Sequence, residues 1–217
     1  MKQTLLAVIS SVALVTVVGC AGHQPAPAPV PPVMMPPVVD LAPHQTIGFM
    51  EFESDSKGKL ASFATRRFVE MARRDQGVVR MMDLGPSRKM LRAAGQKSWT
   101  PGLYKSIGEQ RGVRTVFVGN LSLSDIRPGF SLAGTLRSGD ITADVDATLA
   151  VELVETATGA SLWSGSARAT KNIGHVSVFH GGEFSFDAED PESAYGVLVD
   201  ALVEQVTRDF HVSWVRR

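Results

Sequence analysis

The chain of 217 residues has a single cysteine, and that shortage removes several chemistries at once. No disulfide can close within the chain, and a Cys-based redox pair or zinc site lacks its further ligands. Neither sign of charge is in surplus, because 22 Lys and Arg balance 22 Asp and Glu. A neutral chain without a concentrated basic run lacks the electrostatic footprint of a nucleic-acid-binding protein or of a polybasic lipid-binding patch. Also missing are an apolar run of about 20 residues, the length a membrane-spanning helix needs, and any internal repeat at a solenoid or propeller period. No Walker A run, Gly-x-Gly-x-x-Gly loop or Gly-x-Ser-x-Gly elbow occurs.

What the lone cysteine does have is a telling position. Cys20 closes the run Val17-Val18-Gly19-Cys20, behind Lys2 and an apolar stretch from Leu5 to Val18. That stretch is 14 residues long, too short to span a bilayer and suited to a cleaved signal. The segment resembles a bacterial lipoprotein signal peptide with its lipobox of Val17, Val18 and Gly19 ahead of the acylated cysteine. The resemblance implies removal of residues 1–19 and acylation of Cys20 through its thiol and its freed amine, the latter typically by a palmitate-type chain. Two or more chains anchor stably where one binds only reversibly. Ala21, in place of Asp, implies sorting to the periplasmic face of the outer membrane in a Gram-negative host.

Residues 20–44 then form a spacer. Eight of the twelve prolines fall between Pro25 and Pro43, and Asp40 is the one charged residue from His23 to Pro43. Such a segment is expected to be extended and rich in polyproline II, a tether that sets how far a domain stands from the membrane. Residues 45–217 have globular composition and suffice for one sizeable core.

The elements of that domain are legible. Thr46 to Glu53 is short and apolar and reads as a buried strand. Ser56 to Gln76 places Leu60, Phe63, Ala64, Phe68, Met71 and Ala72 on one face of an amphipathic helix that Gly77 ends. Val78 to Asp83 reads as a second strand, parallel to the first through a crossover. Pro86 opens a short helix to Ala94, and Pro101 opens another to Arg111 with Gly112 as its stop. Thr115 to Ser124 is the third strand, followed by a loop. Ile141, Ala143, Val145, Ala147, Leu149, Val151 and Leu153 alternate with polar residues, which marks a strand with one face on the core. A turn at Thr156 to Gly159 leads into the strand Ser161 to Thr170. Asp190-Pro191 caps a last helix that turns Tyr195, Leu198, Leu202, Val206 and Phe210 inward. The expected fold is α/β, with a single mixed sheet of about five strands and helices packed on it, in the order β-α-β-α-α-β-β-β-α.

This order, with IGFMEF at the first strand, GVRTVFVGNLSL at the third and DATLAVELVETATGASLWSGSA across the hairpin, resembles a group of periplasmic lipoprotein domains. The group includes the curli-secretion lipoprotein CsgG, the penicillin-binding-protein activator LpoB and the N-terminal domain of TolB. Its members do different jobs, so the likeness speaks to fold before function. The long amphipathic hairpins from which the curli channel builds its pore have no full counterpart. Residues 124–139 and 172–187 are only moderately long, and glycines interrupt the second.

Candidate chemistry is sparse. Asp144 and Asp146, with Asp140 nearby, share a strand face, where solvated carboxylates are commoner than a metal site. His175, His180 and Glu183 make only a loose zinc trio. Glu51 and Glu53 are expected at the polar face of an edge-like strand end, so they form no paired-carboxylate site. Trp163 reads as packing, whereas Trp99 and Trp214 lie outside the strong periodic runs and are candidates for contact with a partner. The expectation is a non-enzymatic protein without cofactor or metal, held to the membrane through Cys20. Its domain binds a periplasmic protein partner in envelope assembly or regulation, as an LpoB-like adaptor. A CsgG-like homo-oligomeric subunit of a secretion or flagellar-type ring is the alternative.

Overall fold

A computed structural model describes residues 31–129, 141–178 and 184–216. The expected signal peptide, its lipobox Val17, Val18 and Gly19, and Cys20 lie outside the described residues, as do Asp140, His180 and Glu183.

In chain order the elements begin with β1 (Val33–Met35), a 3-10 turn (Ala42–His44), β2 (Thr46–Glu51), β3 (Glu53–Ser54), β4 (Lys57–Gly58) and α1 (Leu60–Ala72). There follow β5 (Arg80–Pro86), α2 (Ser87–Ala93), α3 (Pro101–Arg111), β6 (Thr115–Gly129), β7 (Ile141–Glu155) and β8 (Ser161–Val178). The chain finishes with β9 (Phe184–Phe186), α4 (Pro191–Val206), a second 3-10 turn (Arg208–Phe210) and β10 (Ser213–Val215). The fold is the expected mixed α/β arrangement, a mixed sheet with four helices packed on it.

The main sheet runs β4-β9-β8-β7-β6-β2-β5, with β3 added beside β6. β2 pairs in parallel with both β5 and β6, and the β6-β7-β8 meander is antiparallel. Eight strands exceed the five expected because β3, β4 and β9 are two or three residues long, too short for a hydrophobic period to register. The third strand also runs further than expected. β6 continues to Gly129 and pairs with β7 throughout, with a register shift between Leu123 and Asp125 that bends the ribbon.

Two cores lie on opposite faces of the sheet. On one, α1 and α4 cover the alternating residues of β7, and Ala143, Val145, Ala147 and Leu149 are fully buried. An aromatic cluster of Phe68, Phe117, Trp163 and Phe210 fills its centre, with Trp163 and Phe210 ring centroids 4.5 Å apart. Arg67 on α1 holds Asp200 on α4 through Nε to Oδ1 at 2.7 Å and Nη2 to Oδ2 at 3.3 Å. On the other face, Tyr104, Ile107 and Leu91 of α2 and α3 are buried, the first two packing with Met50, Leu84, Val116 and Val154. The Asp190 cap and the Gly112 stop are where the sequence placed them, and the structure adds a cap at Thr100 ahead of Pro101. Thr100 accepts the N–H of Leu103, Gly112 closes α3 at φ 65°, and Asp190 accepts the N–H of Ser193.

The spacer and the domain overlap differently from expectation. Within the described part of the tether, residues 33–35 pair antiparallel with residues 213–215 to form a separate two-stranded ribbon. Val39 donates its N–H to the Asp209 carbonyl, and Leu41 is fully buried. The folded unit therefore includes residues well before Gln45. The pairing partner lies about 180 positions away, so no local pattern announces it.

Candidate functional site

Glu51 and Glu53 were expected at an edge-like strand end, and here the structure differs, because β2 has β6 on one side and β5 on the other. The chain leaves β2 through α1 to reach β5 on one side, then returns through α2 and α3 to β6 on the other. β2 is interior, and the crossovers diverge at its carboxyl end. This is the switch point at which open α/β sheets leave a crevice for ligands.

A groove of about 210 Å³ lies there, on the side of the sheet that α2 and α3 cover. Met50, Val118, Gly119 and Ala150 supply its apolar part, Trp99 a wall, and Glu51, Glu53 and Glu152 three carboxylates. No Lys, Arg or His contributes to this lining. Buried Ser87, at the start of α2, organises one end. Its hydroxyl donates to Glu53 Oε1 at 2.6 Å and accepts the Trp99 indole N–H at 3.0 Å. The Trp99 ring stacks on Tyr104, centroids 5.1 Å apart and planes at 21°. The indole is thus fixed by a stack on one side and a hydrogen bond on the other. Burial, with the nearby charges of Glu152 and Glu53, raises the Tyr104 phenol to about 12, so it is neutral at ordinary pH. A second depression shares Glu51, Glu53 and Ser87 and continues past Pro86 and Arg88. Arg88 there donates to the Ser54 carbonyl at 2.8 Å.

Trp99 therefore belongs to the groove as a half-buried, immobilised wall rather than a free surface anchor. Trp214 is elsewhere. It lies opposite Met34 in the β1/β10 ribbon and is 64% exposed. The structure does not bring the two candidates into one surface. Trp163 packs as expected, its indole N–H donating to Asp209 Oδ2 at 3.0 Å.

The aspartates of β7 have protein partners. Asp146 accepts from Thr170 Oγ1 at 2.6 Å and from Arg127, and Asp144 accepts from Asn172 at 2.9 Å. The Thr170 hydrogen bond, aided by Arg127, holds the Asp146 carboxyl below its usual range. His175 lies within β8, and no zinc trio with His180 and Glu183 can be assessed within the described residues. Among the described residues, no cluster of three His, Cys, Asp or Glu is placed to hold a metal ion. No helix among them is long and apolar enough to cross a membrane.

Sequence reasoning missed Ser87 and Glu152 and set Glu53 aside. Ser87 and Glu53 are 34 positions apart, and the Pro86-Ser87 helix start was the only local sign of either.

No protein-family model matches the chain, and no curated protein matches it. Solved structures do. The PelC dodecamer from Paraburkholderia phytofirmans is 13% identical, with 82% of this chain and 95% of that one covered at a TM-score of 0.43. Lipoprotein GNA1162 from Neisseria meningitidis is 14% identical, covering 75% and 98% at 0.36. The LpoB C-terminal domain from Salmonella enterica is 12% identical, covering 59% and 84% at 0.34. Lipoprotein domains thus figure among the structures to which this chain is similar. At these scores the likeness lends nothing about activity, assembly or partner.

Proposed function

We propose that this chain is a lipid-anchored, non-enzymatic protein of the outer membrane's periplasmic face. In this reading its domain holds a basic segment of a periplasmic protein in the groove at the end of β2, in envelope assembly or regulation. The observation that carries it is the composition of that groove. Glu51, Glu53 and Glu152 stand around an apolar floor and an immobilised Trp99, with no cation in the lining. A Lys or Arg side chain would lay its methylenes along Trp99 and Met50 and bring its charge to the carboxylates. Aromatic anchors whose rotamers are already fixed lose little entropy on binding.

A catalytic reading finds less support. The Ser87 hydroxyl is engaged by Glu53 and Trp99, and no histidine lines the groove to act as its base.

The test is site-specific photocrosslinking in intact envelopes, with the crosslinker at Asn120 on the groove lining. One discrete adduct is expected, lost on Glu53→Lys combined with Glu152→Lys while the protein level is unchanged. An adduct that survives the charge reversal removes the groove from the proposal. Light scattering on the purified chain separates the adaptor from the ring. A monomer mass fits the adaptor, and a discrete large multiple defeats it.

A further inference from the structure

The β1/β10 ribbon has an unusual surface for so small an element. Val33, Met34 and Met35 on one strand and Trp214 and Val215 on the other are all exposed, although all are large and apolar. Val33 faces Val215, and Met34 faces Trp214, so both faces of the ribbon are apolar. An isolated two-stranded ribbon is marginal in water, and an exposed apolar cluster of this kind marks a surface that something else covers.

We propose that the bilayer covers it: the ribbon is a lipid-facing foot that lies in the membrane interface and fixes which side of the domain faces the membrane. The inference rests on acylation of Cys20. Three observations select lipid over other occupants. First, thirteen positions separate Cys20 from Val33, a span of at most about 40 Å at about 3.1 Å per residue. The ribbon holds the first strand among the described residues, so the bilayer to which Cys20 is anchored is at high effective concentration beside it. Second, the chemistry suits an interface. Trp214 carries a polar N–H on an apolar ring, Met and Val suit the acyl boundary, and Arg216 follows β10 directly with a charge that suits lipid phosphates. Third, a second copy is a poor occupant. The ribbon offers two strands of three residues, whereas a stable protein interface takes about 20–30 residues a side.

The groove and the foot are then separate devices. One takes a partner segment, and the other limits the orientations in which the tethered domain presents that groove.

The experiment uses the full acylated chain, purified in detergent and reconstituted into vesicles of phosphatidylethanolamine and phosphatidylglycerol, with and without brominated acyl chains. The chain is expected to float with the vesicles, and the brominated lipid is expected to quench its tryptophan emission. Trp214→Phe should abolish the quenching and leave flotation intact. Trp163 and Trp99 are packed against Phe210 and Tyr104 and contribute little. Flotation without quenching, or quenching that persists in Trp214→Phe, overturns the foot while leaving the anchor. Failure to float, with an unmodified N-terminal peptide by mass spectrometry, defeats the anchor reading and the foot with it. A dimer that Met34→Asp dissolves, without quenching, assigns the ribbon to a second copy and also overturns the proposal.

Discussion

The side-chain oxygen of Gln76 accepts the main-chain N–H of Leu41 at 2.7 Å, and this contact fastens the start of the folded chain to its end. The amide nitrogen of the same side chain donates to the Val39 carbonyl at 2.9 Å and to the Phe210 carbonyl at 2.6 Å. Gln76 is nearly fully buried, so each of these groups depends on it. Gln76→Ala would strand one donor and two acceptors, an expected loss of about 2–4 kcal/mol. Urea unfolding followed by circular dichroism measures it. Gln76→Glu keeps the acceptor but sets a buried carboxylate against the two carbonyl oxygens, and should cost at least as much as Gln76→Ala.

The register of β7 is tested by one charge. Leu149 lies opposite Leu121 and Ala167 and is fully buried under the helices. Leu149→Asp places an unpaired carboxylate in that core and should cost about 4 kcal/mol or more, enough to abolish cooperative unfolding. An unchanged melting temperature would refute the assignment of this face.

The two tyrosines of the chain give a pH signature. Burial raises both phenols from the ordinary 10.0, Tyr104 to about 12, with Asp187 adding to the shift at Tyr195 and its hydrogen bond to Ala188 N opposing it. A raised folded-state value means that the stabilising contribution is complete below pH 10.0 and is lost as the pH climbs toward about 12. Across that window the unfolded chain has released protons that the folded one keeps. Ultraviolet titration should show less tyrosinate near pH 10 than two ordinary phenols give while the fold persists, with Tyr104 ionising toward about 12. Denaturant midpoints should decline over the same range, and ordinary ionisation at pH 10 in the folded protein would contradict the burial of both rings.

Gly119 gives a packing test beside the groove. A Cβ there would stand 2.5 Å from Cδ1 of the Phe52 ring, which itself packs on Phe68. Gly119→Ala should therefore cost about 1–3 kcal/mol through displacement of that ring. Thermal unfolding reads it, and a neutral result would mean that Phe52 has room to turn.

The anchor is tested by Cys20→Ser, which should move the protein from the membrane fraction to the soluble one and abolish lipid labelling. Retention with unchanged labelling would sink the lipoprotein reading.

The division between what was legible and what was not follows the range of the interactions. Features carried by neighbours in sequence could be read directly. The alternation from Ala143 to Leu153 named the core face of β7, Pro101 and Asp190-Pro191 named two helix starts, and Gly112 named a stop, because each acts within a turn or a pleat. The Val17 to Cys20 motif, likewise, is complete in four consecutive residues. Tertiary structure alone decided that β2 is interior, that Ser87 bridges Glu53 and Trp99, and that residues 33–35 leave the Pro-rich spacer to pair with residues 213–215. Those contacts join residues from 12 to about 180 positions apart, and nothing in the local pattern of either partner encodes the other. Trp99 and Trp214 read alike in the sequence, as tryptophans outside any period. Packing made one the fixed wall of a groove and left the other exposed on a ribbon, because only the folded chain brings Tyr104 and Ser87 to the first and sets the second opposite Met34.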